Sequence, residues 1–170
     1  PFDPESRLYD PAFGGGALLD VGVYAVSFAA MVFQSAPNRI AGLAEMAPSA
    51  VDAVNAAVLG YPCGGLAVVS SAVRLETPQE ARIQGDLGSI HLPAPFWRGD
   101  KAILKVDGEK EVILDLPYLG NGYTCEAQEV MDCIRAGRRE STVMPLDESV
   151  AVMDTLDRMR AQWNLRYPMD

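Results

Sequence analysis

From Ala17 to Phe33 the chain runs for 17 residues with a single charge, Asp20, and no proline. A stretch this apolar must be buried in a fold or set in a bilayer, so it limits every architecture open to the remainder. It is barely long enough to cross a hydrocarbon core, it carries Asp20 and Gly22 in its interior, and no Lys/Arg bias flanks it. A helix packed inside the protein follows. Gly14-Gly15-Gly16 precedes it, and Gln34-Ser35-Ala36-Pro37-Asn38 ends it. The first thirteen residues read as a loop or short extended segment feeding the glycines.

Residues 39 to 116 read as strands, because β-rich runs recur at short spacing with turn signals between them. The runs are Ile40 to Met46, Val54 to Leu59, Leu66 to Leu75, Ala81 to Gln84, Ser89 to Leu92, Ala102 to Val106 and Val112 to Leu116. Asp107-Gly108 suits a type I′ hairpin turn and predicts that the last two runs pair antiparallel. Arg39, Glu45, Asn55, Arg74 and Arg82 break the apolar pattern, which leaves one sheet face open or used for association. Two amphipathic helices close the chain. Around Thr124 to Ala136, Ala127, Val130, Met131 and Ile134 share a face, with Gly137 at the expected C′ position. From Leu146 to about Asn164, Leu146, Val150, Met153, Leu156 and Trp163 share another. These apolar faces are predicted to cover one side of the sheet. Helix, strands, then two helices is an α+β order without the βαβ alternation of a nucleotide-binding sheet, and residues 1–170 read as a single domain.

Composition narrows the partners. Fourteen Lys plus Arg stand against 23 Asp plus Glu, a net charge of −9, which argues against nucleic acid and anionic membrane surfaces. Cys63, Cys125 and Cys133 are odd in number and form no C-x-x-C pair, so a reducing cytoplasm is expected. His91 is the sole histidine, which excludes a His-rich zinc site, and no metal is expected. His91 reads as a strand residue and Cys133 as a small hydrophobe. The chain opens Pro-Phe-Asp-Pro without an initiator Met and is expected to be a piece of a longer protein.

The few polar side chains of the first helix are not scattered. Asp20, Tyr24 and Ser27 lie at i, i+4 and i+7, a single stripe. A carboxylate and a phenol one turn apart can share a proton chain, and a Tyr hydroxyl serves as a proton donor or acceptor in catalysis. The plainer reading makes Asp20 a first-turn residue favoured by the helix dipole and Tyr24 a residue at the rim of a core. The triple glycine either cradles an anion or lets another backbone approach, or it is a flexible turn. It is not the G-x-G-x-x-G dinucleotide fingerprint. Phe96-Trp97-Arg98, braced by Pro93-Ala94-Pro95, reads as a pocket wall or a satellite core cluster, and Tyr118 and Tyr123 add aromatic surface nearby in sequence.

The stretch GGGALLDVGVY, Gly14 to Tyr24, resembles the C-terminal domain of the Gfo/Idh/MocA family of NAD(P)-dependent oxidoreductases. The cadence of Glu126-Ala127-Gln128-Glu129-Val130, Cys133-Ile134-Arg135-Ala136-Gly137, Asp157-Arg158-Met159-Arg160 and Leu165-Arg166-Tyr167-Pro168 is similar to the branch that contains dihydrodiol dehydrogenase and xylose dehydrogenase. The resemblance implies an open, largely antiparallel or mixed sheet covered on one face by helices. It implies that NAD or NADP is bound mainly by an N-terminal Rossmann domain absent from this chain. The family's catalytic Lys lies in a Glu-Lys-Pro motif, and Glu109-Lys110-Glu111 does not match it. The family's Asp, with a His or Tyr four residues on, falls on Asp20 and Tyr24, which makes them the candidate catalytic pair. Arg7, Trp97 and Tyr123 are the candidate substrate-binding residues.

The expected function is therefore the substrate-binding and oligomerisation half of an oxidoreductase acting by hydride transfer on a sugar, polyol or trans-dihydrodiol. A homo-oligomer through the open sheet face is expected, and the isolated chain is expected to be inactive. The alternatives are a non-catalytic sheet-mediated assembly module and an acid/base enzyme that uses Asp20 and Tyr24 without nicotinamide.

Overall fold

The structure, a computed structural model, describes residues 2–170. Two 3-10 turns, Arg7–Tyr9 and Pro11–Phe13, lead to Gly14. A π-helical turn, Leu18–Gly22, then runs into α1 (Val23–Phe33). Seven strands follow: β1 (Arg39–Met46), β2 (Asp52–Gly60), β3 (Leu66–Ala72), β4 (Ala81–Gly85), β5 (Gly88–Leu92), β6 (Lys101–Val106) and β7 (Val112–Asp115). The chain ends with α2 (Tyr123–Arg135) and α3 (Leu146–Gln162). It divides into two compact units, one made of the residues up to Thr77 together with Met144–Asp170, the other of Pro78–Val143.

In the first unit β1, β2 and β3 form an antiparallel sheet in that order, with Leu43 opposite Ala56 and Val58 opposite Val68. Side chains alternate across a strand, so each strand gives one row to each face. The inner rows, including Ala57, Leu59 and Val69, pack with Leu18, Val26 and Ala29 of the glycine-led helix and Val152, Leu156 and Met159 of α3. The segment Pro11–Phe33 has the length and apolar composition of a membrane span. Here it breaks at Gly14 and buries Leu18, Val26 and Ala29 in this core. The outer face holds Leu43 at 82% exposure and Val68 at 80%, with Val58 and Leu66 also exposed, so it is open and apolar. The free edge of β1 is occupied by a side chain: Gln162 Oε1 accepts from Gly42 N at 3.1 Å, and its Nε2 donates to Ile40 O at 3.2 Å. Two backbone groups in the middle of this edge are thereby engaged, which blunts it as a template for another strand.

In the second unit β4, β5, β6 and β7 form a four-stranded antiparallel sheet, so the seven strands make two sheets where the sequence pattern suggested one. β6 and β7 pair antiparallel as predicted, from Lys101 opposite Asp115 to Leu104 opposite Val112. The turn differs from the prediction. Glu109 N donates to Val106 O, and of the two central residues only Gly108 has a positive φ, +80°. That is type II geometry, and pairing stops well short of it, so the link is longer than a two-residue hairpin.

The helices also depart from the predicted faces. The buried side of α3 is Val152, Thr155, Leu156 and Met159, while Leu146, Val150 and Met153 are exposed. On α2, Val130, Met131 and Ile134 are exposed and Cys133 alone is buried, so α2 does not cover a sheet face. The inner sheet face of the first unit is filled instead by α1, its π-turn and α3, with Leu156 common to the predicted and observed faces.

Leu156 is fully buried at the junction of helix and sheet. Leu156→Ala is expected to destabilise the chain by about 2–5 kcal/mol through lost burial and a residual cavity. Urea unfolding measures it, and a loss below about 1 kcal/mol would show that the site collapses around the change.

Candidate functional site

Ser6 Oγ and Asp10 Oδ1 accept from Leu8 N and Ala12 N at 3.3 and 2.8 Å, which locks the two 3-10 turns in front of the glycines. The first of these turns presents Arg7, whose Nη1 lies 2.7 Å from Asp20 Oδ1. The side chains are 68% and 24% exposed, so the pair is worth only about 0–1 kcal/mol. Its consequence is orientation. One carboxylate oxygen is held, and Oδ2 is left to accept from a second donor. Tyr24, in the first turn of α1, is 48% exposed, and Ser27 further along is half-buried. The predicted stripe thus opens to solvent at its Asp20–Tyr24 end, and Arg7 joins it as a partner of the carboxylate.

Behind this helix lies a buried polar cluster of which the sequence pattern singled out only Asn55, and it placed that residue with an open sheet face, whereas Asn55 is buried. Asp52 Oδ2 accepts from Leu18 N at 2.8 Å and from Asn55 Nδ2 at 2.7 Å, and Asn55 Nδ2 also donates to Ser71 Oγ at 2.7 Å. All three residues are buried. Residues three apart on a regular strand face opposite sides, which is why Asp52 and Asn55 do not read as partners. The register shifts where Met46 pairs with Asp52 and Glu45 with Val54, and the extra residue, Ala53, turns both polar side chains inward. The available sequence signal was Asp52, Asn55 and Ser71 inside largely apolar strands, with Ser70 beside Ser71 on the exposed face.

The triple glycine is filled by protein groups. Gly14 N, Gly15 N and Gly16 N donate to Pro11 O, Asp10 O and Leu8 O, and Leu18 N goes to Asp52. Tyr167 Oη donates to Gly15 O at 2.7 Å. Gly16 has φ +112°, and a Cβ there would fall 2.4 Å from Asp52 Oδ1. Of the sequence-derived alternatives, close approach of other groups is therefore the one realised. An anion cradle needs free N–H groups, and these are committed beside a buried carboxylate. The same observation decides the fit of a dinucleotide: the pyrophosphate has no place at this turn.

Burial pushes the Asp52 carboxyl above its ordinary value, overcoming the opposing hydrogen bonds from Asn55 and Leu18. Burial, and then the nearby Asp52 carboxylate, push the Tyr167 phenol up to about 12, so it remains a donor to Gly15 O across the neutral range.

The remaining predicted residues lie in the second unit. Trp97 sits in the 3-10 turn Phe96–Arg98, edge-on to Phe96 with ring centroids 5.4 Å apart. Tyr118 Oη donates to Arg98 O at 2.8 Å and braces that turn. Tyr123 opens α2 and is exposed. His91, on β5, lies 2.8 Å from Glu80 through Nε2, and the hydrogen bond from His91 holds the Glu80 carboxyl below its usual range. Cys133 Sγ faces Glu129 Oε1 at 3.3 Å, and burial pushes its thiol up, away from thiolate chemistry. Among the described residues no group of three or more His, Cys, Asp or Glu is placed to hold a metal.

Because the folded value of Asp52 lies above its unfolded value, the folded state binds that proton more tightly. The stability this contributes is present below the ordinary value of 3.8 and is lost as pH rises through the folded value. Asp52→Asn removes the titration. Wild type is therefore expected to lose stability relative to Asp52→Asn as pH rises from about 4 through the raised folded value in urea unfolding, and a pH-independent difference would contradict the assignment.

Three comparisons bear on identity. The family described as GFO/IDH/MocA C-terminal domain matches residues 1–91. Among curated proteins, trans-1,2-dihydrobenzene-1,2-diol dehydrogenase from Homo sapiens is 30% identical over 170 residues, covering 96% of this chain and 51% of that protein. The Danio rerio protein of the same name is 34% identical over 172 residues, again 96% and 51%. The chain thus spans about half the length of the curated relatives it matches. Two solved structures share the fold: an aldose-aldose oxidoreductase from Caulobacter crescentus complexed with glycerol, with TM-score 0.79, 21% identity and coverage of 97% and 50%; and a mutant 3-ketoreductase from Actinomadura kijaniata in complex with TDP-benzene and NADP, with TM-score 0.76, 17% identity and coverage of 95% and 50%. With its α+β architecture and a family match that covers more than half of its residues, this chain belongs to the GFO/IDH/MocA C-terminal domain family.

Proposed function

We propose that this chain is the substrate-binding and subunit-contact half of an NAD(P)-dependent oxidoreductase acting on a CH–OH group of a sugar, polyol or trans-dihydrodiol. The observation that carries the proposal is the Asp20–Tyr24 end of the glycine-led helix, where a phenol and a carboxylate with one oxygen held by Arg7 face solvent on a rigid element. The related dihydrodiol dehydrogenases and the NADP complex of the 3-ketoreductase support the cofactor and substrate class. The dinucleotide is assigned to a preceding Rossmann domain, because the glycine turn here has no room for it.

In this reading Tyr24 Oη exchanges a proton with the reacting hydroxyl, since an alcohol carbon cannot become a carbonyl without loss of the O–H proton. Asp20 Oδ2 accepts from that hydroxyl or its neighbour, and Arg7 fixes the carboxylate for that purpose. Trp97 and Tyr123, both in the second unit, are assigned to substrate contacts made by that unit. The three free thiols, Cys63, Cys125 and Cys133, agree with a cytoplasmic location.

The open face of the β1–β3 sheet supports a homo-oligomer. Leu43, Val58, Leu66 and Val68 form an apolar surface of the kind that a second subunit covers.

Tyr24→Phe, made in the protein that joins this chain to its dinucleotide-binding half, is expected to lower kcat by about 10²–10⁴ with cofactor binding intact. Unchanged turnover removes Tyr24 from the chemistry. For the sheet face, light scattering after size exclusion is expected to give an oligomer that Val68→Asp converts to monomer; a wild-type monomer at every concentration would rule the interface out.

A further inference from the structure

The π-turn that carries Asp20 is held from behind by groups other than its partner Arg7. At its entry Ala17 supplies no side-chain cap, and Leu18 N donates instead to Asp52 Oδ2 at 2.8 Å, from the start of β2. At its exit Gly22 lies so close to β3 that a Cβ would come 2.9 Å from Ser71 Oγ. Asn55 links the two ends, donating to Asp52 and to Ser71 at 2.7 Å each. Tyr167 pins the preceding Gly15 carbonyl. Asp52 Oδ1, meanwhile, is buried without a hydrogen-bond partner among the described residues, next to Gly16.

A half-satisfied carboxylate is a poor way to fill a core, because its unpaired oxygen loses its hydration without replacement. An apolar residue would fill the same space. What only an acceptor supplies is the hold on Leu18 N and on the Asn55 amide. That hold matters because a π-turn contains one residue more than an α-turn. Relaxation of Leu18–Gly22 to α-helical hydrogen bonding would rotate the residues before α1 by about 100° relative to those within it. Asp20 lies in the π-turn and Tyr24 lies in α1, so their relative aim depends on that register.

We propose that Asp52 is a positioning residue: through Leu18 N, and through Asn55 and Ser71, it holds the π-turn in the register that sets Asp20 against Arg7 and Tyr24 one turn beyond. The proposal rests on the oxidoreductase reading of the Asp20–Tyr24 end. It makes Asp52 part of the site's geometry without contact to substrate.

The test compares Asp52→Asn, which keeps an acceptor oxygen, with Asp52→Ala, which does not. On this chain, amide hydrogen exchange at Leu18 and at Val23, which donates to Leu18 O across the π-turn, is expected to quicken in Asp52→Ala and less so in Asp52→Asn. In the protein joined to its dinucleotide-binding half, Asp52→Ala is expected to lower kcat about tenfold or more while KM changes within about twofold, with partial rescue in Asp52→Asn. Wild-type exchange at Leu18 and Val23, or wild-type kcat in folded Asp52→Ala, overturns the proposal. If Asp52→Ala does not fold, Ser71→Ala takes its place, with the same kcat-selective loss expected and wild-type kcat overturning it. Tyr24→Phe run in parallel separates the two levels. Turnover unchanged in Tyr24→Phe sinks the site reading and this proposal together, whereas loss in Tyr24→Phe with none in the Asp52 and Ser71 variants sinks this proposal alone.

Discussion

A hydrogen bond between Leu18 N and the Asp52 carboxylate joins the two halves of the first unit's architecture, the glycine-led helix and the β1–β3 sheet. The first N–H groups of a helix have no partner within it, and in most helices a neighbouring Ser, Thr, Asp or Asn supplies one. Here Gly14-Gly15-Gly16 and Ala17 offer no such side chain, so the acceptor comes from a strand 34 residues on. Helix entry, strand register and the bulge at Ala53 are therefore coupled. Gly16 admits the carboxylate, the extra residue in β2 turns Asp52 and Asn55 inward together, and Ser71 meets the helix again at Gly22.

The outward side of the same helix carries the proposed catalytic pair, Asp20 and Tyr24, and this separation has a physical basis. Groups that must meet a substrate need solvent access, whereas groups that hold geometry work best where water cannot compete for their hydrogen bonds. Asp20 and Tyr24 are on the accessible side, with Arg7 supplied by a 3-10 turn whose own geometry is set by Ser6 and Asp10. Asp52, Asn55 and Ser71 are on the sheltered side. The sheet behind them presents a second apolar face to the exterior, and the side chain of Gln162 closes the edge of β1. Face and edge are treated differently: the face is left open, and the middle of the edge is engaged by a side chain.

Much of this was legible in the residues. The seven strands fall within a few positions of the predicted runs because β-branched stretches separated by Gly, Pro, Asp and Asn leave little choice of period. The Asp20–Tyr24 stripe was visible because polar residues are rare in that segment. The helix faces were less legible. For α3 two apolar stripes compete, Leu146-Val150-Met153 and Val152-Leu156-Met159, and spacing cannot say which one meets the sheet. For α2 the periodicity is real, but its apolar residues are exposed in the second unit.

Local pattern alone determined the element types, the antiparallel β6–β7 pairing, the apolar helix after the triple glycine, and the residues on it able to donate or accept a proton. These depend on interactions within a few residues of one another. Tertiary structure decided that the glycines enclose a carboxylate and not an anion, that the helix begins with a π-turn, that Arg7 holds Asp20, and that Asp52, Asn55 and Ser71 form one cluster. Each of those outcomes joins residues far apart in the chain, or turns on one extra residue in a strand, and a single inserted residue reverses which way every following side chain points.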